Sequence, residues 1–286
     1  MLCPVTQNLE IHLSALVKER NLYTAPGQLA SAGRYICDQF HALDLRVREE
    51  SVPFDGTHSP NILGLKEGTS PGEETFILAA HYDTVEGTPG ADDNASAVAA
   101  LLEIARCLDS SRLRVPLLFA AFTLEEYGFV GSRYFVERAR ERNERFQGMI
   151  SLEMVGFRSR EPGSQNYPPY VDPSEYPDTG DFIAVVGNQP SARLTHAIAE
   201  ALGRTAPSLS VERLVVPGRG AGFPEVNLSD HSTFWENGTP AVMVTDTAFL
   251  RNPNYHQPSD TLDTLDLEFI RDLAQGISGF LEEHLG

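Results

Sequence analysis

Two histidines and a set of carboxylates carry the chemistry this sequence offers. His81 closes an apolar run, TFILAAH, and Asp83 follows two residues later. A turn-rich passage, EGTPG, leads to the acidic pair Asp92-Asp93, and NASAVAALLEIARCL then carries Ala and Leu at helical spacing. The pattern reads as strand, loop, helix, with His81 at the carboxyl end of the strand and Asp92 just before the helix. Ligands of open α/β sheets collect at the carboxyl ends of strands. His and Asp supply the nitrogen and oxygen ligands that zinc accepts.

Further groups fall at or just after the ends of other apolar runs. Glu125-Glu126 follow VPLLFAAFT, Glu153 lies in GMISLEMV, and His256 lies in the loop after TPAVMVTDT. A lone histidine is more often a satisfied surface or core residue, and an acidic pair is more often a solvated face. Five such places, His81, Asp92, Glu125-Glu126, Glu153 and His256, at corresponding strand ends are harder to dismiss. Two His and three carboxylates would give each of two zinc ions one His and one carboxylate, with the third bridging and a position left for water. Two-metal hydrolytic sites hold their ions about 3.5–4 Å apart and activate a shared water.

The elements that must position these groups alternate along the chain. Residues 7–20 and 26–41 read as helices, the second opened by Pro26, which suits a first helical turn. LDLRVREESV and NILGLKEG read as strands of period two. TFILAAH, VPLLFAAFT, GMISLEMV, DFIAVVG and TPAVMVTDT are apolar strands, the last of them the final clear one. Helices are expected over 94–108, through YFVERARER, over SARLTHAIAEALG and over the closing LDLEFIRDLAQGISGFLEEHL. The stretch 157–181, rich in Pro, Tyr, Ser and Gly, reads as a long loop beside the site, and 205–228 holds a second irregular passage. The expected fold is a single α/β domain, a mixed, mainly parallel sheet sandwiched between helices.

Composition agrees with one sizeable core: 286 residues, 41% hydrophobic. A net charge of −18 argues against a nucleic-acid surface and mildly favours cationic substrates. No apolar run approaches the roughly 20 residues a membrane helix needs. The start, MLCPVTQNLEIHL, lacks the basic and apolar regions of a secretory signal, so a cytoplasmic location is the expectation. Cys3, Cys37 and Cys107 are scattered and form no zinc knuckle or disulfide framework; Cys37 and Cys107 read as buried thiols.

The motifs HYDT (81–84), PGADDNASA (89–97), EEYGFVGS (125–132), LEMVG (152–156), SDHSTFW (229–235) and NYHQPSDTLDTLD (254–266) stand in one order over about two-thirds of the chain. In them the chain resembles the M28 family of zinc aminopeptidases, in particular its compact bacterial members, and so the zinc-exopeptidase α/β/α fold. The resemblance implies that His81 and Glu153 hold one of two zinc ions, Glu126 and His256 the other, and that Asp92 bridges them. It also implies that Glu125 is the general base, that Asp83 orients His81, and that the Asp92–Asp93 peptide is cis. Many family members place Asp where this chain has Glu153; the longer side chain keeps the ligand chemistry. Asp230 and His231 are expected near the site, and Met154 and Phe157 in the core or pocket wall. His58, His196 and His284 are expected to be surface or structural residues.

The implied activity is removal of the N-terminal residue from a peptide with a free amino group; sequence leaves oligomeric state open. A carboxypeptidase, dipeptidase or glutaminyl cyclase on the same fold would change the reaction. Arg213, Arg219 or Arg251 clamping a substrate carboxylate would favour the first two. A non-catalytic relative is disfavoured, because the ligand positions and Glu125 are all filled.

Overall fold

The computed structural model describes residues 4–286. Eight strands form one sheet: β1 (Arg46–Phe54), β2 (Thr57–Lys66), β3 (Thr75–His81), β4 (Leu117–Phe122), β5 (Phe146–Glu153), β6 (Ile183–Asn188), β7 (Val211–Val216) and β8 (Ala241–Thr245). Their order is β1-β2-β4-β3-β5-β8-β6-β7. The β3·β4, β3·β5, β5·β8 and β6·β7 pairings are parallel, while β1·β2, β2·β4 and β6·β8 are antiparallel. The sheet is therefore mixed and mostly parallel, as its apolar central strands led us to expect. β1 and β2 join through Asp55-Gly56, both at positive φ (45° and 73°), the backbone a two-residue hairpin turn requires.

Seven α-helices are described: α1 (Thr6–Leu16), α2 (Pro26–Ala42), α3 (Ala97–Cys107), α4 (Val130–Glu141), α5 (Ala192–Thr205), α6 (His231–Glu236) and α7 (Leu267–Leu285). No helix among the described residues is long and apolar enough to cross a membrane. The alternation of β3 divides the core. Phe76, Leu78 and Ala80 face the layer that holds α1, α2, α3, α5 and α7, while Ile77 and Ala79 face the other side. On that second side Phe135 of α4 and Phe234 of α6 pack with Phe122 and Phe146, ring centroids 5.5–6.4 Å apart. Each buried phenyl group contributes about 1.5–3 kcal/mol, and together they fix the two helices on the sheet. Beyond α6, Tyr167, Tyr170 and Phe223 from the two irregular stretches pack on this side with residues of β6, β7 and β8.

The stretch 205–228 is more ordered than expected, since it contains β7. Its sequence, VERLVV, sits at a sheet edge, half exposed and interrupted by charge, so its apolar pattern is weak. The two helical cysteines also differ from expectation. Both are half-buried; Cys37 is a free thiol and Cys107 is disulfide-bonded. Cys3 lies outside the described residues.

Candidate metal centre

Strand ends bring five of the expected residues together. His81 ends β3, Glu153 ends the adjacent β5, and Glu125 and Glu126 form a single turn just beyond β4. His256 comes from the long loop after β8. Three of these positions need a left-handed backbone at a residue other than glycine: Leu124 before the Glu pair (φ 57°), Met154 after Glu153 (φ 47°) and His256 itself (φ 56°). Such conformations are uncommon and persist where the surroundings over-determine them. At Met154 the surroundings are clear: its N–H donates to Asn94 Oδ1 (2.9 Å), and its carbonyl accepts from the Asp246 N–H (2.7 Å).

The sixth member is Asp93, and this corrects the expectation of Asp92. Asp93 Oδ1 lies 3.3 Å from His81 Nε2, and Oδ2 lies 3.1 Å from His256 Nε2. Asp92 points away: Oδ1 accepts from the Gly156 N–H (2.8 Å) and the Ser96 hydroxyl (3.0 Å), and Oδ2 from the Asn252 amide (2.7 Å). Its acceptors are spent on the loops after β5 and β8 and on Ser96 just before α3. The backbone explains the exchange. Gly90 is left-handed (φ 60°), in a place where a Cβ would lie 2.4 Å from the Asp93 carbonyl. Asp93 and Asn94 then depart from helical angles before α3 begins. The cis peptide is likewise one residue later than expected, between Asp93 and Asn94.

Around this pair the other distances complete two clusters. Glu153 Oε1 is 3.5 Å from His81 Nε2, and Glu126 Oε2 is 3.3 Å from His256 Nε2. His81, Asp93 and Glu153 form one group whose ligand atoms all lie within 4.8 Å, and Asp93, Glu126 and His256 form another. Glu125 Oε2 stands 3.9 Å from His81 Nε2. The Ser229 hydroxyl donates to Glu153 Oε2 (2.7 Å), which steadies that side chain. Tyr255 stacks on His256 at 3.7 Å.

Two further carboxylates hold the acidic residues by their backbones. Asp83 accepts from the N–H groups of Glu125 (3.0 Å) and Glu126 (3.2 Å), and it stands 3.5 Å from His81 Nδ1. Asp260 does the same for Asp92 (2.9 Å) and Asp93 (3.1 Å). Sequence reasoning reached Asp83 through its nearness to His81, but missed Asp260, which lies 167 residues from Asp93. Asp230 and His231 are both fully buried. His231 packs edge-on against Trp235, with Nε2 2.8 Å from the Val226 carbonyl, and burial lowers it to about 4.

The electrostatics fit bound cations. Burial pushes Glu125 well up from the ordinary carboxylate range; His81 opposes it, while the charges of Glu153, Glu126 and Asp230 add to it. Burial likewise raises Glu126 to about 7, aided by Asp93. Against burial, hydrogen bonds to Asp93 and Glu126 raise His256 to about 10. Also against burial, Glu125 and Glu153 hold His81 well above its ordinary value. These are carboxylates short of positive charge. Arg20, buried on the same side, spends its guanidinium on the carbonyls of Tyr82, Pro89 and Gly90. Glu126 Oε1 is buried with no hydrogen-bond partner among the described residues. Nitrogen and carboxylate donors with this unmet negative charge suit zinc.

A cavity opens from the cluster. Asp93, Glu125, Glu126, Glu153 and His256 line one part of it, and residues of β6, β7, β8 and the two irregular stretches line the rest. Of the three arginines considered as clamps, only Arg213 lines it. Arg251 is buried under Phe182 (4.5 Å), donating to Gln165 Oε1 and the Phe182 carbonyl.

Comparison with known proteins gives the family. The family model described as peptidase family M28 matches residues 61–281. Over 259 residues the chain is 37% identical to the uncharacterized protein YfbL of Escherichia coli (strain K12), covering 87% of this chain and 78% of YfbL. It is 36% identical over 105 residues to aminopeptidase YwaD of Bacillus subtilis (strain 168), a match covering 36% of this chain and only 23% of YwaD. The crystal structure of LapA aminopeptidase from Legionella pneumophila has the same fold, with a TM-score of 0.78 at 20% identity over 99% of this chain and 72% of LapA. This chain belongs to peptidase family M28.

Proposed function

We propose that the protein is a two-zinc aminopeptidase. The observation that carries this reading is the Asp93 carboxylate, whose two oxygens address two different histidines at 3.3 and 3.1 Å. His81 and Glu153 would hold one ion, His256 and Glu126 the other, and Asp93 would bridge them. When bound, the zinc pair supplies Lewis-acid assistance to the scissile carbonyl and to the attacking water. The rest falls to the chain's own groups. Glu125, held in place through its N–H by Asp83, accepts the proton of the water that attacks the carbonyl carbon. As the C–N bond breaks, Glu125 returns that proton to the leaving nitrogen. The buried carboxylates give the site a negative field that suits a substrate ammonium group and disfavours a terminal carboxylate.

The test compares zinc-loaded protein on an aminoacyl anilide with a free amine, the same compound N-acetylated, and a peptide whose only free terminus is its carboxylate. The proposal expects hydrolysis of the first alone. Turnover of the third in preference to the first would replace it with a carboxypeptidase. Cyclisation of an N-terminal glutamine without hydrolysis would replace it with a cyclase.

A further inference from the structure

The cavity beside the metal centre is built along one row of the sheet. Glu153 of β5 pairs in register with Thr245 of β8, Thr245 with Ala184 of β6, and Ala184 with Glu212 of β7. Directly paired residues share a face of the sheet, and all four line the cavity. The neighbouring row on the same face, Met243, Val186 and Leu214, lines it as well. The floor is therefore an apolar strip with a proposed zinc ligand at one end and a glutamate at the other. Three inter-strand spacings of about 4.8 Å separate the two backbones by about 14 Å.

The far end is acidic, and its acids form no ion pair among the described residues. Glu212 is half-buried, and its side chain makes no hydrogen bond or ion pair among the described residues. Burial raises its pKa, with Arg213 opposing. Glu225, on the turn Pro224–Asn227, also lines the cavity and joins no ion pair among the described residues. Its Oε2 is buried beside the Tyr170 hydroxyl, which burial and this carboxylate together hold above the ordinary phenol range, and no cation meets it among the described residues. Arg213, the cation nearest in sequence, has an exposed side chain and pairs with neither glutamate. Tyr176 closes the roof over this end by donating from its hydroxyl to the Arg213 carbonyl.

We infer that this pocket selects N-terminal residues with long cationic side chains, lysine and arginine, whose stems lie on the Thr245–Ala184–Val186 floor and whose heads meet Glu212 and Glu225. This rests on the aminopeptidase reading above. The chemistry matches part for part: a methylene stem covers apolar surface while its charged head seeks a polar partner. Reach matches too. A lysyl side chain spans about 6 Å from Cα to Nζ, five bonds of about 1.5 Å in a zigzag, and Glu212 lines the far end of the floor, about 14 Å away backbone to backbone. A leucyl side chain would bring neither carboxylate a cation.

The test measures kcat/KM of the zinc-loaded protein on lysyl and norleucyl p-nitroanilides, which share a four-carbon stem and differ in the terminal ammonium group. A hydrogen bond to a charged group predicts a lysine-over-norleucine preference of tenfold or more. Glu212→Gln combined with Glu225→Gln should lower that ratio at least tenfold, while Glu200→Gln, an exposed glutamate outside the cavity, leaves it in place. Norleucine cleaved as well as lysine, or a ratio indifferent to the double substitution, overturns this inference and leaves the aminopeptidase standing. Failure to cleave any aminoacyl anilide overturns the aminopeptidase instead. Calorimetric binding of free L-lysine against L-norleucine then decides the pocket: tighter lysine upholds the selectivity, and equal binding ends it.

Discussion

Replacing Asp83 by Asn disturbs three site residues through one side chain. The Asp83 carboxylate is fully buried, accepts from the N–H groups of both Glu125 and Glu126, and stands 3.5 Å from His81 Nδ1. Asparagine keeps the shape but turns one acceptor oxygen into an amide donor. Whichever way the amide sits, one of the two N–H groups faces another donor. The loss is one hydrogen bond to a charged acceptor, about 1.5–3 kcal/mol, which is roughly 10–100-fold. Removal of carboxylates that orient metal-ligating histidines costs a similar factor in metal affinity or activity. Asp83→Asn should therefore weaken zinc binding, measured by competition with a chelating dye, and lower kcat/KM at saturating zinc, each by about 10–100-fold. Both quantities within twofold of the parent would refute the reasoning. A lower melting temperature with both unchanged would show that Asp83 serves the fold alone.

Glu125→Gln should lower kcat by about 10²–10⁴-fold, the usual contribution of a general base, with metal content unchanged, whereas Glu126→Gln should lower metal content. Paired metal analysis and kinetics check this, and the reverse pattern exchanges the two roles. Away from the site, burial lowers His12 to about 4, its Nδ1 lying 2.7 Å from the Tyr35 hydroxyl. A depressed folded value means that its share of stability is present above the unfolded value of about 6.5 and is lost as pH falls toward 4. At pH 5 that loss is about 2 kcal/mol. The stability of His12→Gln, measured by urea unfolding, should fall less steeply between pH 6.5 and 4 than that of the parent; parallel curves would remove His12 as the cause.

Legibility followed burial and sequence distance. β3 was read residue for residue, TFILAAH, because a strand covered on both faces is a continuous apolar run that stops where the site begins. β7 was missed because an edge strand shows one half-exposed face and carries Glu212 and Arg213. α6, six residues long, is too short for a periodic signal. At the site, the spacing of strand ends was enough to bring His81, Glu125, Glu126, Glu153 and His256 forward. It could not choose between Asp92 and Asp93, because adjacent identical residues differ only in where the backbone aims them. Here the left-handed Gly90 and the non-helical angles at Asp93 and Asn94 make that choice. Asp260 left no local trace, since its task is to accept two backbone N–H groups far away in the chain.

The central claim is that Asp93 bridges two cations. Crystals of the zinc-loaded protein measured on both sides of the zinc absorption edge test it directly. The account predicts two anomalous peaks about 3.5–4 Å apart, one beside His81 and Glu153 and the other beside His256 and Glu126, with an Asp93 oxygen on each. A single peak at full zinc loading, or two peaks joined by Asp92 with Asp93 turned away, would contradict it.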